Sequence, residues 1–167
     1  MVRNGGEDEY RKMLERYRTS DMADEKRRAM VALGSSPVPE LQLETLAWVL
    51  QSGEVRAQDM TFPISAVARA KGGALRVWQN FCDNFDRLQK DFSQGQSFVV
   101  SRLVGASVSS LPTLEDMAMA EAFFVDHPVP SAVRTIRQSL EAARSGLERR
   151  ERDLPALRAF VKAGLTL

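Results

Sequence analysis

The sequence is poor in the residues that chemistry usually needs. It has a single cysteine in 167 residues, so no internal disulfide can form, and a reducing, cytoplasmic compartment is expected over secretion. It has a single histidine, His127, set before a proline with no His-Glu-x-x-His around it. A zinc centre needs several ligands at defined spacing, so His127 is read as a turn residue. No glycine-rich phosphate loop is present, and Gly72-Gly73 reads as a separator between helices. No run approaches the roughly 18 apolar residues of a membrane span, and MVRNGGEDEY has no apolar signal core. Formal net charge is +1, which provides no field for nucleic acid. No catalytic, metal or cofactor residue and no nucleic-acid or membrane partner is therefore assigned to this chain.

What is present is helical periodicity. Hydrophobic residues make up 44% and charged residues 27%, enough for one domain with a continuous core. Tyr10, Met13, Leu14 and Tyr17 share one helical face. Ser20 and Asp21 are candidate caps for a second helix with the stripe Met22, Ala29, Met30 and Leu33. Gly34 is expected to end it in the left-handed conformation. Pro37 and Pro39 lead into a third helix carrying Leu41, Leu46, Trp48, Val49 and Leu50, ending near Gly53.

VRAQDMTFPISAVA follows, with Arg56, Gln58 and Asp59 clustered before an apolar run. Asp59 is a plausible N-cap, although Pro63 allows a start at Thr61 instead. Capping contributes about 1 kcal/mol, so a structural role is the simpler reading, with Arg56 pairing to a neighbouring helix end. After Gly73, ALRVWQNFCDNFDRLQKDF places Trp78, Phe81, Cys82, Phe85, Leu88 and Phe92 on one stripe of a single core helix, stopped by Ser93-Gln94-Gly95. Each large side chain contributes roughly 1.5–3 kcal/mol when buried. Cys82 on that stripe reads as an inert thiol.

SFVVSRLV is rich in β-branched residues, but no second strand exists to pair with it, so a helix weakened by Gly105 is predicted. Thr113 and Asp116 form an approximate capping box for a helix with Leu114, Met117, Phe123 and Phe124. Glu115, Asp116 and Glu121 fit capping and a solvated face. After the turn at Asp126–Pro130, Ser131 is expected to cap a helix with Val133, Ile136, Leu140 and Ala143. Gly146 should interrupt it, and Asp153-Leu154-Pro155 should start a last helix through Leu157, Phe160 and Val161. The charged run Glu148–Asp153 reads as a solvated surface. About eight or nine helices with short connections predict antiparallel hairpins stacked as an armadillo- or HEAT-like superhelix, with a globular bundle as the rival.

These segments resemble the C-terminal helical domain of zinc aminopeptidases of the puromycin-sensitive type, from about Glu9 to Val161. The likeness begins in SDMADEKRRAMVALGSS with Glu25-Lys26 and Ala32-Leu33-Gly34, and continues in SGEVRAQD. It includes Trp78 and Asn84 in GGALRVWQNFCDNFDRL, and is strongest in AEAFFVDHPVPSAVRTIRQSLE, with Phe123-Phe124, His127-Pro128, Arg134 and Glu141. The chain departs from the pattern at Phe85, where Trp is usual, and after Glu141, where Gly146 and Arg149 replace Asn and Trp. The missing Trp suggests a last helix packed more loosely or against something else.

The resemblance implies that residues 1–167 are a single helical domain, the C-terminal fragment of a longer aminopeptidase (gluzincin family). Zinc and the catalytic motifs would lie in the upstream catalytic domain of the same polypeptide. This domain would close over that one and gate peptide access. Arg56 is the candidate cavity-facing group; Asp59, Trp78, Phe81, Phe85, Phe123, Phe124 and Glu141 are assigned structural roles. The Met start and the length also permit a free-standing helical-repeat module that binds a protein or peptide. If the chain belongs to a longer stack, Tyr10, Met13, Leu14 and Tyr17 are expected to cover exposed apolar surface or pair with a second copy.

Overall fold

The computed structural model describes residues 5–92 and 96–164. Among these residues the chain forms nine α-helices and no strand, as the spacing of its apolar residues requires. They are α1 (Glu7–Thr19), α2 (Ala23–Gly34), α3 (Pro39–Gln51), α4 (Thr61–Arg69), α5 (Gly73–Asp83), α6 (Phe85–Phe92), α7 (Ser97–Val108), α8 (Leu114–Asp126) and α9 (Val133–Gly164). Short 3-10 turns, Ala57–Asp59 and Pro130–Ala132, precede α4 and α9. Pro39 stands at the start of α3, where a missing N–H costs nothing. Thr113 caps α8, its hydroxyl oxygen accepting the Asp116 backbone N–H at 3.1 Å. The expected stop at Ser93-Gln94-Gly95 lies outside the described residues.

Two boundaries differ from expectation. The core helix is two helices, α5 and α6, divided at Asn84. The Asn84 side-chain amide and backbone N–H both donate to the Asn80 carbonyl, at 2.8 and 3.2 Å. An Asn side chain that competes for a helical acceptor in this way favours ending the turn. Conversely, α9 runs unbroken for 32 residues through Gly146 and Pro155. Its Glu, Arg, Ala and Leu residues are strong helix formers. Pro155 is exposed, so water can satisfy the carbonyl that its ring leaves without a donor. Ser131 falls inside the Pro130–Ala132 turn and makes no side-chain cap. Met22 is 63% exposed and does not belong to the α2 core stripe, whereas Ala29, Met30 and Leu33 are buried.

The principal contacts join α1 to α2, α2 to α3 and α4, α4 to α5 and α7, and α7 to α9. Helices that pack closely stand no more than three places apart in the chain. The central helix is α4, which touches α2, α3, α5 and α7. Its approach explains Gly34 better than a left-handed stop does. Gly34 is the last residue of α2 and has no positive φ. A Cβ there would collide with the Pro63 carbonyl of α4. Gly73, at the start of α5, has the same relation to the Val67 carbonyl one turn further along α4. Gly72 takes the left-handed conformation, φ 69°, that turns the chain into α5.

A polar network ties the layers. Gln42 is fully buried; its amide donates to the Ser36 carbonyl at 2.8 Å and accepts from Arg76 at 3.0 Å. The Tyr10 hydroxyl meets the Thr45 hydroxyl at 2.9 Å, and Thr45 also donates to the Leu41 carbonyl at 2.8 Å. Tyr10, Leu14 and Tyr17 are therefore spent inside the fold, contrary to the expectation that they would meet a neighbour or a second copy. Among the large apolar side chains left exposed, Leu157, Phe160 and Val161 lie together on the C-terminal half of α9.

Overpacking of this kind costs about 1–3 kcal/mol. Gly73→Ala should therefore lower the urea midpoint by more than Gly53→Ala, where φ is 73° but nothing crowds the added Cβ. Equal losses in the two variants would show that α4 is not held by contact with Gly73.

Candidate functional site: the junction at residues 54–59

Between α3 and α4 the chain makes a bend held by local polar contacts and by bonds to α1. Val55 is buried and anchors it. The Ser52 side-chain oxygen accepts the Glu54 backbone N–H at 3.0 Å. The Glu54 carbonyl accepts the Tyr17 hydroxyl at 2.8 Å, while the Glu54 carboxylate receives two N–H bonds from Arg18, at 3.0 and 2.9 Å. This bidentate contact holds the Glu54 carboxyl below its ordinary range, because the guanidinium favours the charged form. Tyr17 in turn stands edge-on to Trp48, ring centroids 4.9 Å apart.

Arg56 pairs with Asp59 rather than with a distant helix end. Its Nε–H donates to Asp59 Oδ2 at 3.1 Å, and the Asp59 backbone N–H returns to the Arg56 carbonyl at 2.8 Å. Asp59 therefore closes the 3-10 turn and does not cap α4, whose N-cap is Met60 without a side-chain bond. The alternative start at Thr61 is the observed one. The Arg56 side chain is 68% exposed and the Asp59 side chain 19%. Together with Tyr17, Lys26, Arg27 and Phe62 they line an open concavity of about 670 Å³ between α1, α2 and the turn. Lys26 lies 5.3 Å from the Tyr17 ring centre and Arg27 5.9 Å from that of Phe62, so the cations are splayed over aromatic faces. Such a wall has both signs of charge and aromatic surface; among its carboxylates, Glu54 is engaged by Arg18 and Asp59 by Arg56.

The other named residues lie elsewhere. Trp78, Phe81 and Phe85 of α5 and α6 meet Phe123 and Phe124 of α8 in one aromatic cluster. Trp78–Phe123 is 5.4 Å, Trp78–Phe124 5.8 Å and Phe85–Phe123 5.3 Å, all near edge-to-face, the favourable geometry for such rings. His127 closes α8: its backbone N–H donates to the Phe123 carbonyl at 2.9 Å, its Nδ1 lies 3.0 Å from the same oxygen, and its ring stacks on Phe123 at 4.2 Å. Glu141 is exposed on α9, apart from both the junction and the cluster. Glu54 and Arg18 carry no signal in the sequence, because a contact across 36 residues leaves no local pattern.

The sequence profile of the ERAP1-like C-terminal domain family matches residues 1–145. The chain belongs to this family. Among its relatives, Aminopeptidase M1 of Arabidopsis thaliana is 32% identical over 132 residues, which cover 79% of this chain and 14% of that protein. Aminopeptidase M1-A of Oryza sativa subsp. japonica is 33% identical over 135 residues, 81% of this chain and 15% of its own length. Aminopeptidase N of Oryctolagus cuniculus is 26% identical over 162 residues, 95% of this chain and 17% of its own. The chain thus spans about a seventh of the two plant relatives.

Among the described residues no three His, Cys, Asp or Glu side chains converge. The Nδ1 of His127 is turned to a backbone carbonyl and its ring lies against Phe123. Cys82 is half-buried, and burial pushes its thiol up to about 11, away from the thiolate that a metal or a nucleophile needs. No helix among the described residues is long and apolar enough to cross a membrane.

The Glu54–Arg18 pair gives the ERAP1-like domain an acid-side signature. A carboxyl whose pKa is lowered by folding stabilises the fold above its ordinary value of 4.5, and that contribution fades as pH falls through the lowered value. Glu54→Gln should cost up to about 1 kcal/mol at pH 7, and the difference should shrink below pH 4.5, read from urea midpoints across pH. A difference independent of pH would remove the ion pair as its cause.

Proposed function

We propose that this chain is the non-catalytic C-terminal domain of a zinc aminopeptidase that removes N-terminal residues from peptides. In this reading the helices stack as a superhelix that closes over the catalytic domain of the same polypeptide and gates peptide access. The observation that carries it is the match of residues 1–145 to a family of C-terminal domains, in a chain that spans 14–15% of relatives named as aminopeptidases. Zinc and its chemistry would belong to the catalytic domain, and no step of the reaction runs through the residues here. The single cysteine and the lack of a membrane-spanning helix among the described residues support a cytoplasmic location.

The junction at residues 54–59 supports the gating role. It presents exposed Arg56 at an open concavity of both charge signs, where a guanidinium can donate to a peptide carbonyl or carboxylate from solution. Loss of one such contact costs roughly 1 kcal/mol, about fivefold in affinity. In the intact enzyme, Arg56→Ala should raise KM for peptides of several residues about fivefold, while leaving turnover of an aminoacyl anilide unchanged. Equal effects on both substrates would place Arg56 outside the peptide path. Metal-dependent peptide hydrolysis by the purified 167-residue chain would overturn the non-catalytic assignment itself.

A further inference from the structure

The family match ends at residue 145, yet α9 continues to Gly164. Along α9, Ile136, Leu140, Ala143, Leu147, Arg150, Leu154, Leu157 and Val161 step by alternating four and three residues. That spacing is the seam of a two-helix coiled coil. In its first half the seam is covered: Leu140, Ala143 and Leu147 are buried where α9 packs on α7. Arg150 marks the edge of the body, its guanidinium donating to the Pro112 carbonyl at 3.2 Å. Beyond it the same seam runs on uncovered. Leu154 is half-buried, while Leu157 and Val161 are 57% and 55% exposed. Phe160, 77% exposed, flanks them. Residues 154–164 carry only Arg158 and Lys162 as charged groups. A helix this apolar is one that is normally covered.

We propose that a second copy of this chain covers it, the two α9 tails packing antiparallel about a two-fold axis. The charges choose this occupant. With Leu154 of one copy against Leu157 of the other, Val161 packs on the aliphatic stem of Arg150. Glu151 and Arg158, which flank the seam, then fall opposite each other across the axis, twice by symmetry. Neither residue has an ion-pair partner within its own chain among the described residues. Arg152 and Asp153, by contrast, already pair with each other at 2.8 Å. A parallel arrangement would instead face Arg150 with Arg150 in the apolar seam, which like charge disfavours. The interface adds three seam residues per chain, so it is a small one and its dimer is concentration-dependent.

The test is sedimentation equilibrium of the 167-residue chain from about 1 to about 100 µM, the range suited to a small interface. The mass should rise from one chain toward two. Leu157→Glu should weaken association about tenfold or more, since a buried carboxylate would lack a partner, with the helical circular dichroism unchanged because residue 157 is more than half exposed in the single chain. Glu151→Arg and Arg158→Glu should each weaken the dimer by placing like charges across the axis, and the double variant should restore it. A constant monomer mass overturns the proposal, whether the tail stays free or instead binds phospholipid vesicles or an upstream segment of a longer polypeptide. So does a dimer indifferent to Leu157→Glu, or a double variant no better than the single ones.

Discussion

The fold depends on how closely the backbone of α4 can be approached. Its carbonyls at Pro63 and Val67 occupy the spaces where Gly34 and Gly73 would carry Cβ atoms. Two glycines from different helices thus let α2 and the start of α5 close onto one short helix of nine residues. Because α4 also meets α3 and α7, these two contacts set the spacing of the central layers. Interiors are close-packed, so a methyl group added at either point must displace backbone rather than a side-chain tip.

Around that centre the remaining cohesion is of two kinds. The N-terminal half is tied by polar side chains with defined partners: Tyr10 with Thr45, Gln42 with Ser36 and Arg76, and Arg18 with Glu54. The C-terminal half is tied by aromatic rings from α5, α6 and α8, with His127 stacked as the last member. Buried polar groups are costly unless paired; Gln42 and Thr45 reach across the fold to Arg76 and Tyr10 as well as bonding within their own segment. The single His and Cys are consumed by this packing.

Much of this was legible from spacing. Apolar residues at helical intervals identified the all-α class, the Thr113 cap and the Pro39 start followed from local chemistry, and the helical state of the β-branched Ser97–Val108 segment followed from the want of a second strand to pair with it. The misreadings have local causes as well. Asn84 was passed over because its break lies inside an uninterrupted apolar stripe, and the competing bond to the Asn80 carbonyl is invisible in the letters. Gly146, expected to interrupt a helix, and Pro155, expected near the start of a last one, both lie inside one continuous α9, whose strong helix formers outweigh them. Asp59 was read as a cap when its carboxylate was already engaged by Arg56.

Local rules therefore decide which segments are helical and which face of each is apolar, because both follow from residues within a turn or two of each other. The order of residues also carried the family resemblance. Only the tertiary structure decides what each face meets. It turned the α1 stripe inward against α3 through Tyr10 and Thr45, and assigned Gly34 to a close approach rather than a turn. It joined Glu54 to Arg18, and left the α9 seam covered as far as Leu147 but open beyond Arg150. Such outcomes depend on contacts between residues distant along the chain, and spacing within a single helix contains no information about them.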